Sequence, residues 1–309
     1  MATTVVAPAA NAISYAELYL PLLDEAYKAE SKSAVLDTLS EYVRFTGGNT
    51  VNIFNINPVG MGNYDRNAGY VPGDVTGTWQ PYVLETDRGR SYQVDFLDNE
   101  QAMGLVVPNL LATVERQHII PEVDAYRFAE YASGAAAGNV VTETLSAGAA
   151  TIASIDGATE ALDNAEVPYE GRILFVSPGT YRLIKSGITR MVMNRDRDVD
   201  YNVEMYNDMR VITVPQPRFQ TAITLAAPTT SSGAGGFAPA TGASAINYMI
   251  IHPSAVLQVM QHYAPRVFSP EQNIEADAWR VQPRYCHGAW VKAHKTNGIY
   301  VSAASFPST

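Results

Sequence analysis

Residues 85–132 read ETDRGRSYQVDFLDNEQAMGLVVPNLLATVERQHIIPEVDAYRFAEYA, a strand feeding one very long helix. Tyr92, Val94 and Phe96 alternate with Ser91, Gln93 and Asp95, which is strand period. Asp98 or Asn99 then offers a side-chain oxygen to cap a helix. Beyond it Met103, Val107, Leu110, Leu111, Val114, His118, Pro121, Ala125, Phe128, Ala129 and Ala132 recur at intervals that place them on one stripe. A helix from about Asn99 to Ala132 would be roughly 50 Å long, several times the usual globular helix. That length does not fit one compact core and points to a thin, extended subunit that leans on neighbours. Pro108 and Pro121 leave two readings open, because each removes an N–H and crowds the carbonyl four residues back. Either one helix is kinked at them, or two or three ordinary helices are joined there. His118, on the apolar stripe, reads as a core or interface histidine rather than a catalytic base.

The flanking sequence extends this picture. Residues 1–45 are helical in pattern, with Ser14 and Glu17 at capping-box spacing and Tyr15, Leu18, Leu22 and Ala26 on one face. Thr50 to Ile56 alternates like a strand. The stretch after it is rich in glycine and proline, poor in charge, and carries Tyr64, Tyr70, Trp79 and Tyr82. Strands at about 50–56 and 83–96 would make a long two-stranded projection, and an isolated hairpin is barely stable in water. Its aromatics therefore call for another surface to rest on, such as a second subunit. Arg88 and Arg90 share one strand face and could pair with carboxylates of a neighbouring chain or face solvent. Further on, the residues predict a helix over 155–164, a buried strand over 171–177, a helix over 179–185 behind Pro178, and strands over 209–214 and 247–251. They also predict a short helix over 253–262, and strands from Arg266 onward. The run 228–244, with TTSSGAGGFAPATGAS inside it, reads as a flexible loop.

Composition excludes several classes. Of the 309 residues 47% are hydrophobic and 17% charged, which describes a folded chain rather than a disordered one. The formal net charge of -10 argues against gripping nucleic acid phosphates. The single cysteine, Cys286, excludes an internal disulfide framework. No run of about twenty apolar residues is present to span a membrane as a helix. Chemistry-bearing motifs are incomplete. Gly60 and Gly62 begin like a dinucleotide loop, but Asp65 replaces the third glycine. Asp196, Asp198 and Asp200 space like a calcium loop, but Tyr201 and Asn207 occupy positions that need Gly and Glu. Cys286 and His287 point to opposite faces of a strand, which gives a buried cysteine beside a partly exposed histidine, not a metal pair. No catalytic, metal-binding or cofactor-binding residue is expected.

Four stretches together carry a resemblance: ETDRGRSYQVDFLDNEQAM (85–103), IIPEVDAYRFAEYASGA (119–135), AEVPYEGRILFVSPGTYRLIKSG (165–187), and the run from YMIIHPSAV to NGIYVS (248–302). In order and content they resemble the major capsid proteins of tailed bacteriophages, with the Hong Kong 97-type fold. The resemblance implies an α+β chain with an N-terminal arm (1–46), an extended loop or E-loop (47–96) and a peripheral domain holding a long spine helix and a sheet (97–137 and 263–305). It also implies an axial α/β domain (138–262). The implied function is self-assembly into pentamers and hexamers that close an icosahedral shell around packaged double-stranded DNA. Tyr64, Tyr70, Trp79, Arg88 and Arg90 are the expected inter-subunit contacts. Some members join an E-loop lysine to an asparagine, but this chain has no lysine between Lys32 and Lys185, so a non-covalent shell is expected. A separate scaffolding protein, a portal protein and a possible decoration protein are the implied partners, with DNA touched weakly and no membrane. The virion is the expected location, after assembly in the host cytoplasm. Two other classes stay open: an encapsulin-like compartment of the same fold, and a soluble α/β enzyme.

Overall fold

The computed structural model describes residues 31–37, 50–67, 69–97, 106–188, 203–228, 233 and 235–307. The capping box at Ser14 and the aspartates 196–200 lie outside these. In chain order the strands begin with β1 (Thr50–Pro58), β2 (Val75–Val83), β3 (Thr86–Gly89) and β4 (Tyr92–Asp95). The long helix α1 follows as an α-helical stretch Val106–Val114, a π-helical turn Glu115–Ile119 and a second α-helical stretch Ile120–Gly134. Then come β5 (Val140–Thr142), α2 (Gly148–Asn164), β6 (Ile173–Val176), α3 (Pro178–Ile188), β7 (Met205–Tyr206), β8 (Met209–Thr213), β9 (Ile223–Ala226), β10 (Gly236–Pro239) and β11 (Ile246–Ile251). The chain ends with β12 (Val256–Tyr263), β13 (Arg266–Phe268), β14 (Ala278–Gln282), β15 (Arg284–Val291) and β16 (Ile299–Ala303).

The core is a six-stranded sheet in the order β5-β16-β11-β6-β8-β7. Its central strands are apolar runs because both faces are covered. Alternation sorts them cleanly. Ile173, Phe175, Met249, Ile251, Ile299 and Val301 pack with Phe128, Tyr131 and Ala132 of α1. Leu174, Val176, Tyr248, Ile250 and Tyr300 pack on the opposite face with Ile155 and Leu162 of α2 and Ile184 of α3. Two three-stranded sheets, β12-β15-β3 and β13-β14-β4, complete the body. Tyr285 and Val281 tie them to the earlier part of α1.

Two expectations are corrected here. Residues 253–262 are not a helix but a 3-10 turn, Pro253–Ala255, followed by β12. Strand pairing also links residues on either side of 263: β16 lies between β5 and β11, and β12 pairs with β15. The run 228–244 is not all loop, because β10 pairs antiparallel with β9.

The long helix contains both prolines. Pro108 lies inside the helical stretch Val106–Val114, so the helix does not wait until after it. Pro121 follows the π turn directly, and the Ile120 N–H donates five residues back to the Glu115 carbonyl. The wider turn makes room where the proline ring would otherwise press on the carbonyl four residues earlier. It also inserts one residue into the helical count, turning the later stripe by about 100°. The buried row therefore passes from Val114 to Ile119, Ile120 and Val123 rather than to His118, which is exposed. The core position expected of His118 is thus corrected: within the subunit it faces outward, on the surface where an interface residue would lie.

On its buried side α1 carries four charged residues, Glu115, Glu122, Asp124 and Arg127. Asp124 is fully buried and accepts from Ser31 Oγ (2.6 Å), the Lys32 N–H (2.9 Å), the Ser33 N–H (3.3 Å) and Ser33 Oγ (2.7 Å), with Arg218 at 3.4 Å. Arg127 donates to Ser33 Oγ, and Gln258 of β12 to the Ser33 carbonyl. Residues 31–37 are thereby fixed to the helix. Asp124→Ala strands these donors in the interior and should cost roughly 3–5 kcal/mol. Urea denaturation checks it, as a lowered midpoint with an unchanged slope; Asp124→Asn, which keeps an acceptor, should lose less.

Candidate subunit interface

β1 and β2 form an antiparallel hairpin from Thr50↔Val83 at the root to Pro58↔Val75 at the far end. The expected second strand, 83–96, is corrected: β2 begins at Val75, and its Gly77 and Pro81 hide the strand from pattern reading. Residues 86–95 instead join the body as β3 and β4. Pairing places Phe54, Ile56, Pro58, Val75, Trp79 and Pro81 on one face, and Asn55, Asn57, Thr76, Thr78 and Gln80 on the other. The apolar face is open to water: Ile56 is 61% exposed and Trp79 66%. Phe54 packs on Trp79 (centroids 4.9 Å) and over Gly77, where a Cβ would come within 2.5 Å of the ring. At the tip Tyr64 and Tyr70 make an edge contact at 4.8 Å while Tyr70 stays 88% exposed. The root, by contrast, is seated: Val51, Tyr82 and Leu84 are buried with Leu257 and Val259, and Tyr82 packs on Trp290.

All three aromatics singled out from sequence are thus on the projection, but only Trp79 lies on its continuous apolar face. Phe54, Ile56 and Val75 were missed, although Phe54 and Ile56 alternating with Asn55 and Asn57 signals that face. The two arginines part company. Arg88 is used within the subunit: Nε and Nη2 donate to the Glu122 carboxylate (2.7 and 3.1 Å), and Nη1 to the Ala226 carbonyl (2.6 Å). Tyr285 adds a hydrogen bond to Glu122 at 2.7 Å. The bond to Glu122 raises the Arg88 pKa, and burial raises that of Tyr285. The inter-subunit pair expected at Arg88 is thus replaced by an internal one. Arg90 is half-buried on the wall of an open cleft with Arg266 and Arg284.

The Cys286–His287 expectation is reversed. Cys286 is half-buried, whereas His287 is fully buried, ringed by Tyr126 (5.0 Å, edge-on) and Tyr285 (5.6 Å, stacked), with no hydrogen-bond partner on either ring nitrogen among the described residues. Burial, then Arg127 and Arg88, holds its pKa down to about 3. Among the described residues no group of three His, Cys, Asp or Glu side chains is placed to hold a metal. No helix there is long and apolar enough to cross a membrane.

No protein-family model matches the sequence, and no curated protein matches it. Solved structures do. A capsid structure of the cyanophage P-SCSP1u matches with TM-score 0.59 and 12% identity, over 85% of this chain and 85% of that one. The mature capsid of bacteriophage PhiM1 matches with TM-score 0.58 and 14% identity, over 84% and 82%. A virus-like particle from Pyrococcus furiosus matches with TM-score 0.51 and 12% identity, over 93% and 99%. The chain has the phage capsid-protein fold.

Two outcomes follow from the side chains of this capsid-protein fold. If a second copy covers Trp79, Trp79→Ala should weaken self-association by about 2 kcal/mol, roughly thirtyfold, as for a buried aromatic anchor. Light scattering against concentration measures it, and the urea midpoint of the dissociated subunit should barely move. For His287 the unfolded chain binds a proton below pH 6.5 while the folded chain stays neutral toward pH 3. Its contribution is therefore present above pH 6.5 and is lost at about 1.4 kcal/mol per pH unit as pH falls from there. His287→Phe should remove that part of the acid dependence in urea titrations between pH 7 and 4.

Proposed function

We propose that this chain is the structural subunit of a tailed-bacteriophage capsid, self-assembling into pentamers and hexamers that close an icosahedral shell around double-stranded DNA. The observation that carries it is the apolar face of the β1–β2 hairpin, exposed in the single chain on a body with the capsid-protein fold. A projection with that face bare to water gains stability when a second copy covers it. In this reading the hairpin is the E-loop, α1 the spine, and residues 31–37 belong to an N-terminal arm. The six-stranded sheet with α2 and α3 forms the axial domain. Tyr64, Tyr70 and Trp79 pack across subunits and Arg90 makes an inter-subunit pair.

The role is structural rather than enzymatic. A net charge of -10 suits a container that confines DNA without binding it tightly. A separate scaffolding protein would set shell size, a portal protein would occupy one vertex, and a decoration protein is a further possible partner. Assembly would take place in the host cytoplasm and the product would be the virion. The comparisons do not favour the encapsulin-like alternative, since the named matches are phage structures or a virus-like particle. Electron microscopy of the purified chain tests the proposal: closed shells are expected, and a monomer or dimer at every concentration defeats it. Denaturing gels of mature particles should show free subunits, because no lysine lies between Lys32 and Lys185. Covalent ladders would contradict the non-covalent shell.

A further inference from the structure

The β13-β14-β4 sheet is electrically polar along its strands. At one end the β13–β14 connection, 269–277, carries Glu271, Glu275 and Asp277, all exposed, and Ile274, which is 101% exposed. At the other end Arg90, Arg266 and Arg284 line an open cleft of about 410 Å³ with Asp87, Ser91 and Gln282. Some of this charge is already paired at the surface: Arg284 with Asp87 at 2.6 Å and Arg280 with Glu275 at 3.0 Å. Arg266, Glu271 and Asp277 carry no ion pair among the described residues. The acidic loop and basic cleft of one subunit cannot meet. The register Arg266↔Gln282 and Phe268↔Arg280 puts them at opposite ends of the same ladder. The run from Ala278 to Gln282 alone separates them by roughly 14 Å at strand rise.

We infer that the 269–277 loop of one copy docks in the Arg90–Arg266–Arg284 cleft of the next. The inference rests on the shell reading and adds a second contact, independent of the hairpin. Two different patches meet, so the contact is heterologous and repeats around a ring when the rotation closes. Copies with a charge of -10 repel at long range, so attraction has to come from local complementarity. Beside the Arg284–Asp87 pair, Arg90 and Arg266 leave the cleft with an excess of positive charge, and Glu271 and Asp277 leave the loop with an excess of negative charge. Ile274 leaves water in the same step, which adds apolar burial to the charge pairing.

Charge reversal in the full-length chain tests it. Arg266→Glu, and separately Glu271→Arg with Asp277→Arg, should each raise the subunit concentration needed for assembly by about tenfold at low salt. All three positions are exposed surface charges, so the urea midpoint should stay near that of the parent chain. Combining the two sets should restore assembly. A disulfide gives a second readout: mixing Ile274→Cys with Gln282→Cys chains, both carrying Cys286→Ser, should yield a cross-linked dimer on oxidation. Single reversals that assemble like the parent, a combination that assembles worse than either, or no mixed disulfide overturns this contact and leaves the shell reading standing. If Arg266→Glu loses only retention of DNA and not assembly, the cleft is a phosphate site and the inference fails. A parent chain that never assembles overturns both.

Discussion

Glu122 and Asp124, two of the three buried carboxylates on one helix, organise this subunit. Glu122 and Asp124 bring charge into the interior, at a desolvation cost of several kcal/mol each unless partners are supplied. The partners come from widely separated parts of the chain: Arg88 of β3, Tyr285 of β15, Arg218, and the hydroxyls and N–H groups of residues 31–33. Arg88 then reaches on to the Ala226 carbonyl at the end of β9. Apolar packing alone would hold α1 on its sheet at many rotations and offsets. Directed hydrogen bonds to two carboxylates permit one. Their net contribution to stability is modest, but leaving any donor unmet is costly, so the elements around α1 take their positions together.

The π turn is what lets one helix serve two layers. Before it, Leu111 and Val114 face the small outer sheets; after it, Phe128 and Tyr131 face the six-stranded sheet. A straight helix with a constant phase would carry His118 around toward one or other core. The inserted residue buries Ile119 and Ile120 and leaves His118 in water. Pro121, read from sequence as a possible break, sits where the widened turn has already released the helical hydrogen-bond pattern.

Periodic apolar patterns were legible, and features that depend on a neighbour or on one extra residue were not. ILFV at 173–176 and the run 247–251 announced strands because both faces are covered and, Asn247 apart, the residues are apolar or aromatic. The strand at Val75–Val83 was obscured because Gly77 and Pro81 are poor strand formers, yet Gly77 is required beneath the Phe54 ring. The helix expected over 253–262 failed on length: VLQVMQHY suits either period over so short a span, and pairing with β15 decided it. Which of Cys286 and His287 points inward depends on strand parity, which local sequence does not set. Of the candidate interface, the tip aromatics and Trp79 were legible as too apolar for a lone loop. The complete apolar face required the register, and the internal role of Arg88 required Glu122, 34 positions away.

The same register argument joins the hairpin to the start of the described chain. Leu257 and Val259 of β12 pack under Val51, Tyr82 and Leu84 at the hairpin root. Gln258, between them, points to the other side of the strand and donates to the Ser33 carbonyl at 3.2 Å. One strand therefore carries the root of the projection on one face and the anchored 31–37 segment on the other. A shift of β12 relative to α1 would strain the Asp124 cluster and re-aim the hairpin in the same movement. The direction of the exposed apolar face is thus set by a buried polar anchor, and the two are separated only by the thickness of a strand.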